Sequence, residues 1–243
     1  MEMFKTYIAI DDTDEIGYFI STGEICEHIV KYIHTNYSKT TPITRHQLYL
    51  HEAIPYTSHN SSMCFTCQLD TQSFEEVKAF ILEYITHISA SSSSGGVAMV
   101  FEKDIINPQV LIDYGFDAKN KVLTKDLAYR IAKEQNVFLQ EIKNEGNGII
   151  GALAGVALRL SGNDGRLRGK ITLEQSEMLP KELLQKGIVD SIEVVNANTL
   201  IDSKKIVFEE GLKWILKGHK KVLLVQEGQN FYTPLGKEAL AVF

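Results

Sequence analysis

Four consecutive residues, Asp11-Asp12-Thr13-Asp14, place three carboxylates and a hydroxyl directly behind the apolar run Tyr7-Ile8-Ala9-Ile10. Crowded carboxylates repel one another, and a bound cation relieves that repulsion. Hard oxygen ligands of this kind suit Mg²⁺, and Mg²⁺ in a cleft is typically held by one or two carboxylates together with substrate phosphates. The chemistry that would follow is the transfer of a phosphoryl or nucleotidyl group. The same residues also have a plain structural use, because Asp caps helices and closes turns. Spacing alone leaves both readings open.

The elements needed to position such a cluster are legible on either side of it. The run ending at Ile10 reads as a buried strand that delivers the carboxylates to a sheet edge, where open α/β folds place their ligands. Gly17 supplies a flexible point. Ser21-Thr22-Gly23-Glu24 then opens an apolar-periodic segment (Ile25, Ile29, Val30, Ile33) that predicts a helix to about Thr35. Ser21 and Glu24 have the spacing of a capping box. This arrangement would bring the Ser21 and Thr22 hydroxyls and the positive end of a helix close to the carboxylates, a place for an anion bridged to a cation.

Further along, strands are expected at Ile43–Leu50, Ser62–Leu69, Val97–Phe101 and Val137–Ile142, and helices from Ser73 to about Ile88, at Pro108–Tyr114 and at Thr124–Glu134. Ser73 is the expected N-cap of its helix, with Glu76 three residues on. This order predicts an α/β (α+β) class, a mixed sheet with helices packed on it. The run Ser91–Gly96 reads either as a mobile loop or as a phosphate wrap. From Gly146 to Ala157 the chain is glycine- and alanine-rich. Its small residues at 148, 151, 152 and 155 form a helical stripe that lets another backbone come close. A lone G-x-G-x-x-G match is weak evidence for a dinucleotide site, and no acidic residue follows where that site would need one. Close packing explains most of the pattern.

Residues 1–162 are expected to form one catalytic region and 163–243 a small β-rich one. In the second region, strands are expected at Gly169–Leu173, Ser191–Val195, Lys205–Phe208 and Val222–Gln226, with helices near Pro180–Gln185 and Gly211–Leu216. Arg45 and His46 lie late on the second strand and His59 lies in a polar loop beside Asn60. All three side chains are candidates to meet substrate. A surface ion pair for Arg45, a core hydrogen bond for His46 and simple turn chemistry for His59 are the alternatives.

The bulk numbers exclude several classes. A chain of 243 residues, 44% hydrophobic and 23% charged, has the composition of an ordinary globular protein. No stretch of about 18 apolar residues appears, so no membrane-spanning segment is expected. The absence of a basic-then-apolar leader makes the cytoplasm the expected location. Cys64 and Cys67 form a C-x-x-C within an alternating stretch that sends them to opposite faces; no second pair completes a four-thiolate zinc site, with His51 or His59 the alternative contributors, and structural thiols are the expectation. A formal net charge of −6 gives nucleic-acid binding little compositional support. The dense cationic runs are Arg166-Arg168-Lys170 and Lys217–Lys221, either of which reads equally as a solvated face.

Three separated segments, in this order, resemble the archaeal tRNA(Ile) 2-agmatinylcytidine synthetases. They are Ile10-Asp11-Asp12-Thr13-Asp14 with Gly17 and Ser21-Thr22, Ile54-Pro55-Tyr56 leading to Asn60, and Gly146-Asn147-Gly148-Ile149-Ile150-Gly151-Ala152-Leu153-Ala154. The resemblance runs over roughly the first 160 residues. It implies a kinase-like catalytic domain with a ferredoxin-like portion, ATP and Mg²⁺ as cofactors, and activation of a cytidine oxygen by phosphorylation before agmatine displaces it. By this resemblance Asp11, Asp12 and Asp14 would hold metal and take part in catalysis. Thr13, Asn60, Gly146, Gly148 and Gly151 would line the nucleotide site. Ser21 or Thr22 would match helix-start hydroxyls, one of which is phosphorylated in the family. The sequence departs from the family where Cys-Thr-Thr-Tyr becomes Ile20-Ser21-Thr22-Gly23 and where a basic loop becomes Thr57-Ser58-His59-Asn60. The family's carboxyl-terminal RNA-binding modules have no counterpart in residues 163–243. The expected partners are therefore a nucleotide and a small molecule such as an amine, with homo-oligomerisation left open. The alternatives are a non-catalytic nucleotide- or polyamine-binding module, and a tRNA-modifying enzyme that takes its RNA grip from a partner or dimer mate.

Overall fold

In the computed structural model the described residues are 2–54, 60–195, 197 and 199–243. They divide into two compact units, Met1–Ser161 and Gly162–Phe243.

The first unit is built on strands β1 (Phe4–Asp11), β2 (Thr44–Gln47), β3 (Ser61–Leu69), β4 (Gly96–Phe101) and β5 (Phe138–Glu141). Their order across the sheet is β5-β4-β1-β3-β2, with every pairing antiparallel. Helices α1 (Thr22–Asn36) and α2 (Thr71–Ile88) cover one face. The other carries α3 (Pro108–Ala118), α4 (Lys125–Glu134) and α5 (Gly148–Ser161). A sheet covered on both faces needs apolar residues on both sides of each strand. β1 supplies them: Ile8 and Ile10 pack with Ile25, Ile29 and Ile81, while Tyr7 and Ala9 pack with Leu111, Leu153 and Ala157. Cys64 and Cys67 fall in opposite layers, as their spacing requires, and burial raises both thiols to about 12.

Local chemistry sets the helix ends. α1 starts with the capping box: Ser21 Oγ accepts from the Glu24 N–H at 3.3 Å, and Glu24 Oε2 accepts from the Ser21 N–H at 2.8 Å. α2 starts earlier than expected. Asp70, not Ser73, is the cap, because its carboxylate at the end of β3 takes the Ser73 N–H at 2.7 Å. α5 crosses the sheet closely at Gly155, where an added Cβ would lie 3.2 Å from that of Ala9 and overlap Ser62 Oγ.

The second unit holds β6 (Arg166–Leu167), β7 (Glu177–Met178), α6 (Pro180–Gln185), β8 (Ser191–Val195), β9 (Ile206–Val207), β10 (Ile215–Lys217), β11 (Lys220–Glu227) and β12 (Tyr232–Pro234). Its core gathers around Trp214, Tyr232, Leu223 and Val225. Two pairings here, β8 with β11 and β9 with β12, are parallel, so the chain as a whole is mixed. The helix expected at Gly211–Leu216 is instead the approach to a hairpin. Gly218 (φ +58°) and His219 (φ +60°) make the two-residue turn that joins β10 to β11, both with the positive φ such turns demand. The strand expected at Gly169–Leu173 is reduced to a single bridge between Ile171 and Leu212. Among the described residues no helix is long and apolar enough to cross a membrane.

Candidate active site

The acidic cluster lies where β1 ends. Asp11 is its last residue, and its buried side chain accepts the Asp12 N–H at 2.9 Å through Oδ1. Asp12 takes a left-handed backbone (φ +53°), which Asp tolerates better than most residues, and its carboxylate is hydrogen-bonded by the Ser94 backbone. Burial is the main force holding both carboxyls above the usual range, and neighbouring carboxylates add to it. For Asp11 those neighbours are Asp12 and Asp14, offset in part by the Asp12 N–H and the Arg45 charge. Asp12 is pushed up to about 6.

Asp14 and Thr13 tie the cluster to the start of α1. Asp14 Oδ2 accepts from the Thr22 N–H at 2.9 Å. Thr22 Oγ1 in turn accepts from the Thr13 N–H at 3.3 Å and from Thr13 Oγ1 at 3.0 Å. The Thr22 hydroxyl is thus buried within this pair, whereas Ser21 is half-buried at the surface.

The first turn of α5 closes the site from the opposite layer. A Cβ on Gly151 would overlap Asp11 Oδ2, and one on Gly148 would lie 2.7 Å from Gly96 N, 2.8 Å from Asp11 O and 2.9 Å from Ser94 O. These glycines let the positive end of α5 reach the Asp11 main chain and carboxylate. The α5 N–H groups are already engaged. Gly148 donates to Ser94 O at 2.8 Å, Ile149 to Gly146 O at 3.2 Å and Ile150 to Asn147 O at 3.1 Å. Gly146 (φ +62°) packs against the Glu141 side chain. The glycine pattern therefore serves close approach first.

A third wall comes from the loop between α2 and β4. Ala90 N–H donates to Thr13 O at 3.2 Å, Ser92 Oγ bonds the Glu15 carboxylate, and Asn144 Nδ2 bonds Ser91 O and Ser93 O at 2.8 and 2.6 Å. Lys143 Nζ bonds Ser89 O at 2.7 Å, while the buried Ser89 Oγ has no hydrogen-bond partner among the described residues. The expected serine loop is thus laced to the cluster through carbonyls, which its composition did not show.

The remaining candidates divide. Arg45 donates through Nε to Ser61 Oγ at 2.8 Å and exerts its charge on Asp11. His46 is a buried core histidine whose Nε2 lies 2.8 Å from Thr44 Oγ1. Asn60 is spent on the backbone: its side chain donates to Tyr49 O at 2.7 Å and its carbonyl accepts from Leu48 N at 2.9 Å. His59, with Pro55 and Tyr56, lies outside the described residues. In the second unit Arg166 is buried and donates to Lys237 O at 2.9 Å, so it is no part of a solvated basic face.

Among the described residues no three His, Cys, Asp or Glu side chains form a ready-made metal centre. The donor chemistry suits a hard cation held by fewer protein ligands. Asp11 is buried, Asp12 beside it is half-buried, and their charges repel, which a divalent cation would relieve.

Comparison with solved structures places this geometry in a known fold. In fold, the chain is similar to TiaS. A complex of TiaS with an isoleucine tRNA and ATP matches with a TM-score of 0.55 and 22% identity over 63% of this chain and 36% of that one. A tRNA fluorescent labeling enzyme matches with a TM-score of 0.54 and 21% identity over 71% and 37%. A complex of TiaS with the same tRNA, AMPCPP and agmatine matches with a TM-score of 0.54 and 18% identity over 75% and 44%. The chain spans less than half the length of each, and at these identities the likeness is one of fold. No family model and no curated protein matches at the level of sequence.

Proposed function

We propose that this chain carries the catalytic part of an ATP-using, Mg²⁺-dependent enzyme that activates an oxygen by phosphoryl or nucleotidyl transfer, with an amine as the following nucleophile. The observation that carries this reading is the Asp11–Asp12 pair. Two neighbouring carboxylates, Asp11 buried and Asp12 half-buried, lie at the meeting point of β1, α1 and α5, in a fold shared with a structure that holds ATP. A divalent ion bound there would neutralise phosphate charge and draw the triphosphate into line for transfer.

The protein's own residues do the positioning. Asp11 is clamped between the Asp12 N–H and the Gly151 turn, so its carboxylate has a fixed direction. Asp14 and Thr13 fix the first turn of α1 through Thr22, and the half-buried Ser21 beside it is held by Glu24. Arg45 contributes positive charge near Asp11.

A tRNA acceptor is the second reading, favoured by fold neighbours that are tRNA enzymes. Incubating the protein with ATP, Mg²⁺ and candidate acceptors, with and without agmatine, and resolving AMP, ADP and pyrophosphate tests the proposal. Nucleotide turnover that depends on an acceptor supports it. Tight nucleotide binding with no product under any combination would make the chain a binding module instead.

A further inference from the structure

The loop between β1 and α1 alternates in an unusual way. Tyr18 and Ile20 point inward, Tyr18 packing on the α1–α2 core with its hydroxyl on Ile88 O at 3.1 Å and Ile20 buried. Between and before them, Phe19 and Ile16 stand 73% and 82% exposed. Single exposed apolar residues are ordinary, but two large ones within four residues, held by a pinned loop, are a costly presentation. The loop is fixed at several points: Tyr18 N–H donates to Glu15 O at 3.1 Å, Glu15 bonds Ser92, and Tyr18 bonds the end of α2. The Phe19 ring leans on Tyr18 with centroids 4.5 Å apart and planes at 47°, which stiffens one side.

This loop is continuous with the candidate site. Glu15 follows Asp14 directly, and Phe19 lies two residues before Ser21, about 7 Å along the chain at full extension. Because so little chain separates Phe19 from Ser21, a nucleotide whose phosphates lie between Asp11 and Ser21 has this edge within reach of its base. Resting on the function proposed above, we propose that Phe19, flanked by Ile16, is the stacking platform for the base of that nucleotide. Stacking on an aromatic face is tolerant of base identity. The site is therefore selective for a nucleotide over bare phosphate rather than for one particular base. The carboxylates of Asp12, Asp14 and Glu15 beside the loop disfavour an anionic lipid surface as its occupant.

The test is calorimetric titration of the full chain with Mg·ATP, and separately with Mg·tripolyphosphate, in wild type, Phe19→Ala and Phe19→Trp. The expected result is that Phe19→Ala weakens ATP about tenfold or more while tripolyphosphate is unchanged. Phe19→Trp should restore ATP affinity and add an exposed tryptophan whose emission ATP quenches and tripolyphosphate does not; the native Trp214 is buried. Equal effects on both ligands, or none on ATP, overturn the platform and leave the active-site reading standing. If wild type binds neither ligand, both fall together.

Discussion

The carboxylate of Asp11 rests against the α-carbon of Gly151, so closely that no larger residue fits there without moving one of them. This contact joins the end of the central strand to the first turn of the longest apolar helix on the opposite layer, and it fixes where the acidic cluster points.

Replacing Gly151 by Ala should therefore do two things. It should cost about 1–3 kcal/mol of stability through overpacking, seen as a lower denaturation midpoint. It should also turn the Asp11 carboxylate aside, weakening Mg·ATP binding at least tenfold. Gly155→Ala is the control. It too would overlap a neighbour, Ser62 Oγ, but away from the carboxylates. It should lose comparable stability while the folded fraction binds nucleotide normally.

The acidic pair should leave a signature in the dependence of stability on pH. Asp12 is pushed from 3.8 to about 6 in the folded chain, so below 3.8 it is neutral in both states and costs nothing. Between those values the unfolded chain ionises it while the folded state keeps the proton, so stability falls across this window by up to ~3 kcal/mol and levels off above about 6. In chelator, Asp12→Asn should therefore be more stable than wild type at pH 7.5, and the difference should vanish near pH 4. Thermal melts of the two proteins across this range check it. A difference independent of pH would mean that Asp12 is not held in this unfavourable state.

Asp14 should behave differently from its two neighbours. Its carboxylate already serves the Thr22 N–H at the start of α1, the work of a helix cap. Asp14→Ala should lower stability by about 0.5–2 kcal/mol, as cap removals do. Thr22→Val should cost about 1–2 kcal/mol by stranding the Thr13 donors. Denaturant titration reads both directly.

If a helix-start hydroxyl takes up phosphate from ATP, the geometry selects Ser21. Its side chain is half-buried and its hydroxyl donates to Glu24 Oε2 at 2.6 Å, a carboxylate placed to take the proton, whereas Thr22 is buried with its Oγ1 enclosed by the Thr13 N–H and hydroxyl. Peptide mapping by mass spectrometry after incubation with Mg·ATP should find phosphate on Ser21. Finding it on Thr22 alone would require the Thr13 pair to open.

How much of this was legible beforehand varies by residue. The strand to Ile10, the capping box of Ser21 and Glu24 and the split of Cys64 and Cys67 between layers follow from local periodicity, and the structure shows them. Local pattern failed where two motifs competed. Asp70 captured α2 before Ser73 could, and the Gly218-His219 turn drew Ile215–Lys217 into a hairpin although the preceding residues read as helix. The walls of the site were hidden for a different reason. Gly148 donating to Ser94 O and Ala90 to Thr13 O are backbone contacts across the fold, and no side-chain pattern announces them. His46 shows the reverse case, a residue of catalytic type placed by its strand register inside the core beside Thr44.

On the reading proposed above, Asp11 and Asp12 hold a divalent ion against a triphosphate. The most direct measurement is the heat of ATP binding with Mg²⁺ and with chelator, in wild type, Asp11→Asn and Asp12→Asn. Binding in wild type should require Mg²⁺ and should be lost or weakened at least tenfold in either variant. Binding of equal strength in all three proteins, with or without the metal, would contradict it.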